Sequence, residues 1–142
     1  MIASFPFTPF YAYATFKGKF DAWDAILSKL PSQAFEGNTL DAGCGRGLVL
    51  IKTAKIKKQK QKEASSSSLA FGIDIFSTLD QTGNDPNATS RNVQIEGLAD
   101  TVVLNTASFL DLPYKDNVFT LVTSSLACTY TERKREGKGE RE

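Results

Sequence analysis

The sequence predicts an α/β protein with a parallel sheet and helices packed on its faces, and three observations carry that prediction. Four apolar runs, at 39–42, 69–75, 101–105 and 118–124, are too short for helices and alternate with segments of helical pattern. The first run leads straight into a glycine turn, Gly43-Cys44-Gly45-Arg46-Gly47. Acids stand at the tips of the first two runs, Asp41 and Asp74. Strands alternating with helices imply βαβ units with right-handed crossovers, and such sheets bind ligands at the carboxyl ends of their strands.

Taken in order, the elements are each justified locally. The aromatic opening, from Phe5 to Tyr13, carries Pro6 and Pro9, so no helix is expected at its start. Phe16, Phe20, Trp23, Leu27 and Leu30 then fall at steps of four, three, four and three. They predict an amphipathic helix over about 14–30, stopped by Pro31, whose apolar face docks on a core. Contact with a membrane surface is the weaker alternative for this helix, because Asp21 and Asp24 balance Lys17, Lys19 and Lys29. The first strand, 39–42, leads into a helix over about 45–56. The basic run from Lys57 to Ala64 and Ser65 to Ser68 reads as a solvated helix end and a polar loop. A nucleic-acid patch is disfavoured there, since glutamines interrupt the lysines and no aromatic residues interleave. The second strand, 69–75, is apolar except for Asp74. Asp85 and Pro86 then cap and start a helix that closes near Gly97. A third strand, a turn over 111–117 and a fourth strand complete the series.

Composition narrows the function. With 41% hydrophobic and 23% charged residues in 142, the chain is one domain of ordinary globular character. A net charge of +1 gives no electrostatic argument for a nucleic-acid partner. Histidine is absent, which removes the commonest general base and metal ligand, and a metal site is not expected. Cys44 and Cys128 form no disulfide framework, so a reducing, cytoplasmic setting is expected. No stretch approaches the roughly 18 apolar residues of a transmembrane helix, and the N-terminus lacks the basic region of a signal peptide.

The glycine turn is where chemistry is expected. Alternate glycines remove Cβ atoms, so the backbone can press against a flat polar ligand, and the following helix N-terminus offers N–H groups and a positive dipole end. In a nicotinamide fingerprint a third small residue lets the helix pack closely on the strand; here that position is Leu48, which disfavours a nicotinamide oxidoreductase. No Gly-Lys-Ser/Thr follows, which excludes a Walker phosphate loop. An acid at the tip of the second strand, Asp74, suits ribose hydroxyls. Gly43, Asp74 and Ser108 are expected to cluster at one end of the sheet.

The segments from Leu40 to Gly47, from Gly72 to Phe76, from Asp80 to Gly97, and from Asp111 through Ser125 together resemble the class I S-adenosylmethionine-dependent methyltransferases. The likeness covers roughly 36–127 and is to the type 11 group, related to the ubiquinone/menaquinone-biosynthesis enzymes. It implies a Rossmann-like fold, strand order 3-2-1-4 with an N-terminal amphipathic helix, and S-adenosyl-L-methionine as cofactor. By position, Asp41, Gly43, Gly45 and Gly47 would hold the methionine part and Asp74 the ribose. The adenine would meet Ser108, where the family usually has an acid, beside Phe109. A second departure is Phe119-Thr120, where the fourth strand of the family begins Phe-Asp. The family's sheet has seven strands; this chain stops after the fourth, so it reads as truncated, with a charged tail over 128–142 that is expected to be disordered. The expected parts are therefore 1–35, an N-terminal segment; 36–127, the cofactor domain; and 128–142, the tail. The implied activity is methyl transfer to a small-molecule or lipid-like acceptor, with an inactive cofactor-binding remnant as the alternative and no general base identified.

Overall fold

The computed structural model describes residues 7–63, 67–76, 85–108 and 110–125, with residues 7–16 and 63 described by their backbone alone. The expected tail, Cys128 and Phe109 lie outside the described residues. Two compact units are formed, Met1–Leu30 and Pro31–Glu142. In the first, α1 spans Phe7–Ser28 and so starts well before the expected 14. Pro9 is its third residue, in the first turn, where an N–H has no intrahelical partner and its loss costs little. The expected apolar face is only partly buried: Leu27 is buried, Trp23 and Leu30 are half-buried, and Phe20 is about half exposed.

The second unit is a four-stranded parallel sheet with order β3-β2-β1-β4, as the family resemblance implies. Its strands are β1 (Asn38–Ala42), β2 (Ala70–Asp74), β3 (Val102–Thr106) and β4 (Phe119–Ser124). Thr39 pairs with Ala70 and Ala70 with Val102, which sets the carboxyl tips Ala42, Asp74 and Thr106 near one another. The central strands β1 and β2 are covered on both faces, so that even Thr39 and Asp41 of β1 are buried. Among the described strands β4 lies at an edge, and it alternates half-buried and exposed residues, with Val122 exposed.

The helix α2, Leu48–Glu63, begins later than expected because Gly43, Gly45 and Gly47 all take left-handed φ values, 73°, 50° and 88°. It also runs on through the basic segment. There one expectation is corrected: Lys57 is not solvated but wholly buried. It follows Leu50 and Ala54 at the seven- and three-residue steps of the buried face, so the helix carries it inward whatever its charge. Its Nζ donates to Phe35 O at 3.1 Å, Gly37 O at 2.5 Å and Ser68 Oγ at 2.8 Å. The neighbouring positions fare as expected of a solvated face; Lys55 pairs with Glu96 at 2.7 Å, and Lys58 with Asp100 at 2.8 Å.

The helix α3, Pro86–Ile95, is capped by Asp85, whose Oδ1 accepts from Asn87 N at 3.0 Å. Helices α2 and α3 cover one face of the sheet, through Leu50, Ala54, Ala70, Val93 and Leu98. The close approach of α2 depends on Gly72, where a Cβ would lie 2.5 Å from Leu50 Cδ2 and 3.1 Å from Cys44 Sγ. The small residue absent from position 48 of the helix is thus supplied from the strand. On the other face Leu40, Ala42 and Ile73 meet Phe71, Tyr114 and Phe119. Those three rings pack edge to face, with centroids 4.9–5.7 Å apart.

Candidate functional site

The carboxyl tips of β1, β2 and β3 converge on the glycine turn. As the chain leaves β1, the N–H groups of Gly43 and Cys44 both donate to Ile73 O, at 2.8 and 3.0 Å, which bends the turn over β2. Gly47 N then closes on Cys44 O at 2.8 Å, and Ile51 N takes Gly47 O at 2.9 Å to open α2. A Cβ on Gly47 would meet Thr89 Cγ2 at 3.2 Å, so both its φ and its surroundings demand glycine.

Asp74 stands beside the turn. One carboxylate oxygen accepts from Gly45 N at 2.8 Å and the other from Phe76 N at 2.7 Å. The second contact holds Phe76 at φ 49°, a left-handed conformation that a bulky residue adopts only when its surroundings enforce it. Asp41 is directed inward. Its Oδ2 accepts from Leu50 N at 3.0 Å, within the first turn of α2, and its Oδ1 accepts from Thr123 Oγ1 at 3.0 Å. Burial pushes its carboxyl up to about 6, against the opposing effect of those two hydrogen bonds and with a small addition from the charge of Asp74. Asp41 thus braces the turn and the head of α2, and Asp74 faces the turn's amides.

Ala107 N donates to Asp74 O at 3.1 Å, which brings the end of β3 to the same edge. There Ser108 forms a local turn: its Oγ accepts from Leu110 N and its carbonyl from Asp111 N, each at 3.2 Å. Burial, and then the charges of Asp41 and Asp74, hold the Cys44 thiol far above its ordinary range, so it is no nucleophile. Among the described residues no group of three or more histidine, cysteine or acidic residues could hold a metal ion, and no helix is long and apolar enough to cross a membrane.

Two contributors were not foreseen. Thr89 Oγ1 donates to Gly45 O at 2.6 Å, and Asn92 Nδ2 to Arg46 O at 3.0 Å, so α3 grips the outside of the turn. Their three-residue spacing on one helix face was visible in the sequence, but nothing there said which loop that face would meet. The assembled edge has backbone amides, two carboxylates within electrostatic reach of each other and a hydroxyl. That donor set fits a ligand with hydroxyl groups and a positive charge better than one with a pyrophosphate.

No family model matches the chain, and no curated protein matches it. Solved structures do match. A protein of Methanococcus maripaludis provisionally assigned as an S-adenosyl-L-methionine-dependent methyltransferase aligns over 78% of this chain and 43% of its own, with TM-score 0.58 and 20% identity. An RNA methyltransferase from Salinibacter ruber, in complex with S-adenosyl-L-homocysteine, aligns over 82% and 64%, with TM-score 0.54 and 19% identity. Geranyl diphosphate C-methyltransferase from Streptomyces coelicolor, also with S-adenosyl-L-homocysteine, aligns over 76% and 34%, with TM-score 0.53 and 16% identity. The chain spans less than two thirds of each of these neighbours. At such identities the likeness is one of fold: the sheet and its helices form the Rossmann-like fold that these methyltransferases have.

Proposed function

We propose that this chain is the cofactor-binding part of a type 11-like class I methyltransferase and binds S-adenosyl-L-methionine at the carboxyl edge of the sheet. The observation that carries the reading is the pairing of a left-handed glycine turn with two carboxylates, Asp41 and Asp74, on a fold shared with methyltransferases. A ligand carrying an ammonium and a sulfonium is attracted to that edge, whereas a dinucleotide pyrophosphate is repelled by it. When bound, the cofactor supplies an activated methyl group on a positively charged sulfur.

The residues of this chain bind and orient. Gly43, Gly45 and Gly47 let the backbone come close to the methionine part. Asp41, held by Leu50 N and Thr123 Oγ1, serves through the shape of the turn. Asp74 accepts the ribose hydroxyls beside the Gly45 amide. Ser108 and Phe109 take the adenine side. Methyl transfer is an in-line displacement, so alignment of acceptor, methyl and sulfur is the main contribution asked of the protein. The acceptor we propose is a small molecule or lipid-like compound, which the geranyl diphosphate enzyme among the neighbours and the net charge of +1 both support.

Calorimetry with S-adenosyl-L-homocysteine and with NAD tests the cofactor. Tighter binding of S-adenosyl-L-homocysteine is expected, and tighter NAD binding would remove the reading. Radiolabelled methyl transfer, offered small-molecule pools and RNA in parallel, then tests the acceptor. Label entering RNA alone would overturn the acceptor class while leaving the cofactor site intact, and binding without any turnover would favour the inactive remnant.

A further inference from the structure

We infer that Thr89 and Asn92 are positioning residues for the ligand turn, fixing from α3 which way its peptide groups point. The inference rests on the turn being the cofactor site proposed above. In a planar trans peptide the C=O and N–H point in opposite directions. Thr89 Oγ1 draws Gly45 O toward α3 at 2.6 Å, which aims the N–H of Arg46 away from α3. Asn92 Nδ2 draws Arg46 O outward at 3.0 Å, and the N–H of the same peptide, on Gly47, points back to Cys44 O at 2.8 Å. Two successive peptides are thereby set by two side chains one helical turn apart.

The clamp is rigid on its own side. Thr89 is wholly buried, and its N–H is tied to Asp85 O at 3.2 Å within the capped first turn of α3. The turn it holds is the opposite. Gly45 and Gly47, at φ 50° and 88°, have no Cβ to limit their rotation. Without the two side-chain bonds the turn would sample conformations that do not bind, and the apparent affinity would fall by the fraction of time so spent.

The test compares wild type with Thr89→Val, Thr89→Ser and Asn92→Ala, by S-adenosyl-L-homocysteine calorimetry and by hydrogen exchange of the Gly47 amide in the ligand-free protein. Thr89→Val keeps the buried volume and loses the hydroxyl; a roughly fivefold to tenfold loss of affinity is expected, with faster exchange at Gly47. Thr89→Ser should restore both to within about twofold, which a purely packing role for the methyl group would not do. Asn92→Ala, at a half-buried position, should weaken binding by roughly threefold with little effect on the melting temperature, and so covers the case in which the buried variant folds poorly. Wild-type affinity and exchange in both Thr89→Val and Asn92→Ala would overturn the inference, as would a serine variant as weak as valine. If wild type itself binds no S-adenosyl-L-homocysteine, the cofactor reading fails, and unchanged exchange in Thr89→Val then separately rejects the clamp.

Discussion

Each end of the four-stranded sheet carries a buried charged side chain, and the two ends are built to different purposes. At the amino ends, Lys57 reaches from α2 to two backbone carbonyls and Ser68, while Asn38 Oδ1 accepts from Leu69 N at 2.9 Å. At the carboxyl ends, Asp41 holds the Leu50 amide at the head of α2, and Asp74 holds the Gly45 amide of a turn that passes three times through left-handed conformation and the amide of Phe76, itself left-handed. Both ends satisfy their charges. The carboxyl end alone brings two like-charged acids together and holds a bulky aromatic residue, Phe76, in left-handed backbone; Asn117, just before β4, is left-handed too, but asparagine adopts that conformation readily. The contrast separates a lysine that ties elements together from acids that shape a site.

The largest expected effect breaks the structural end. Replacing Lys57 with Met removes a cation at about hydrogen-bond distance from Phe35 O, Gly37 O and Ser68 Oγ, and strands two carbonyls. A loss of about 3 kcal/mol in urea unfolding is expected, with S-adenosyl-L-homocysteine affinity unchanged in the fraction that remains folded. Burial holds the Lys57 ammonium down to about 8, so part of that loss is offset by relief of desolvation. A variant that binds weakly but melts normally would mean the two ends are coupled and the contrast is wrong.

Next in size is a pair of glycine variants. Gly47→Ala and Gly97→Ala both place a Cβ on left-handed backbone, at φ 88° and 66°, but Gly97 has open space around it while Gly47 faces Thr89 Cγ2 at 3.2 Å. Each should lose about 1–2 kcal/mol of stability. Only Gly47→Ala should lose cofactor affinity, by tenfold or more on the scale of one such strain. Equal affinities in the two variants would show that the turn tolerates displacement and is not a close-contact site.

Proton linkage at Asp41 is of similar size but is spread over a pH range. Its carboxyl is raised from 3.8 to about 6, so between those values the folded state holds a proton that the unfolded state has released. Its contribution to stability is therefore full below about pH 4 and is lost as pH rises through about 6. Asp41→Asn cannot titrate. The stability difference between wild type and this variant should drift by about 2 kcal/mol across that window, to the disadvantage of wild type as pH rises. A flat difference would place the Asp41 carboxyl at its ordinary value, in a wetter site than the fold implies.

How much of this was legible beforehand differs between the two ends as well. The alternation of strands and helices, the glycine turn and Asp74 at the tip of β2 follow from short-range pattern, because a buried parallel strand and a glycine-rich turn leave signatures in consecutive residues; the strand order follows only from the family resemblance. Lys57 does not, because in a run of lysines its charge masks its place on the helix, seven residues from Leu50. Gly72 is in sequence one more strand residue, and the grip of Thr89 and Asn92 on the turn depends on a tertiary approach 44 and 46 residues away. Such contacts are set by how α3 packs, which no local pattern encodes.

The smallest expected effect sharpens the site end, at the position where the chain departs from its resemblance. Ser108 Oγ accepts from Leu110 N at 3.2 Å, a local turn that aspartate forms at least as well. Ser108→Asp would keep that bond with one oxygen and offer the other, charged, to the adenine amino group. Its position is fixed by the bond from Ala107 N to Asp74 O, which ties the β3 end to the tip of β2. A charged acceptor is worth about 1 kcal/mol more than a neutral one, so S-adenosyl-L-homocysteine should bind about fivefold tighter. An analogue with hypoxanthine in place of adenine separates this contact from general attraction between a new carboxylate and a cationic ligand, because it lacks the amino group. The gain should vanish with that analogue. If both ligands gain equally, the new charge acts at a distance and the adenine lies elsewhere; if neither gains, the end of β3 does not border the ligand at all.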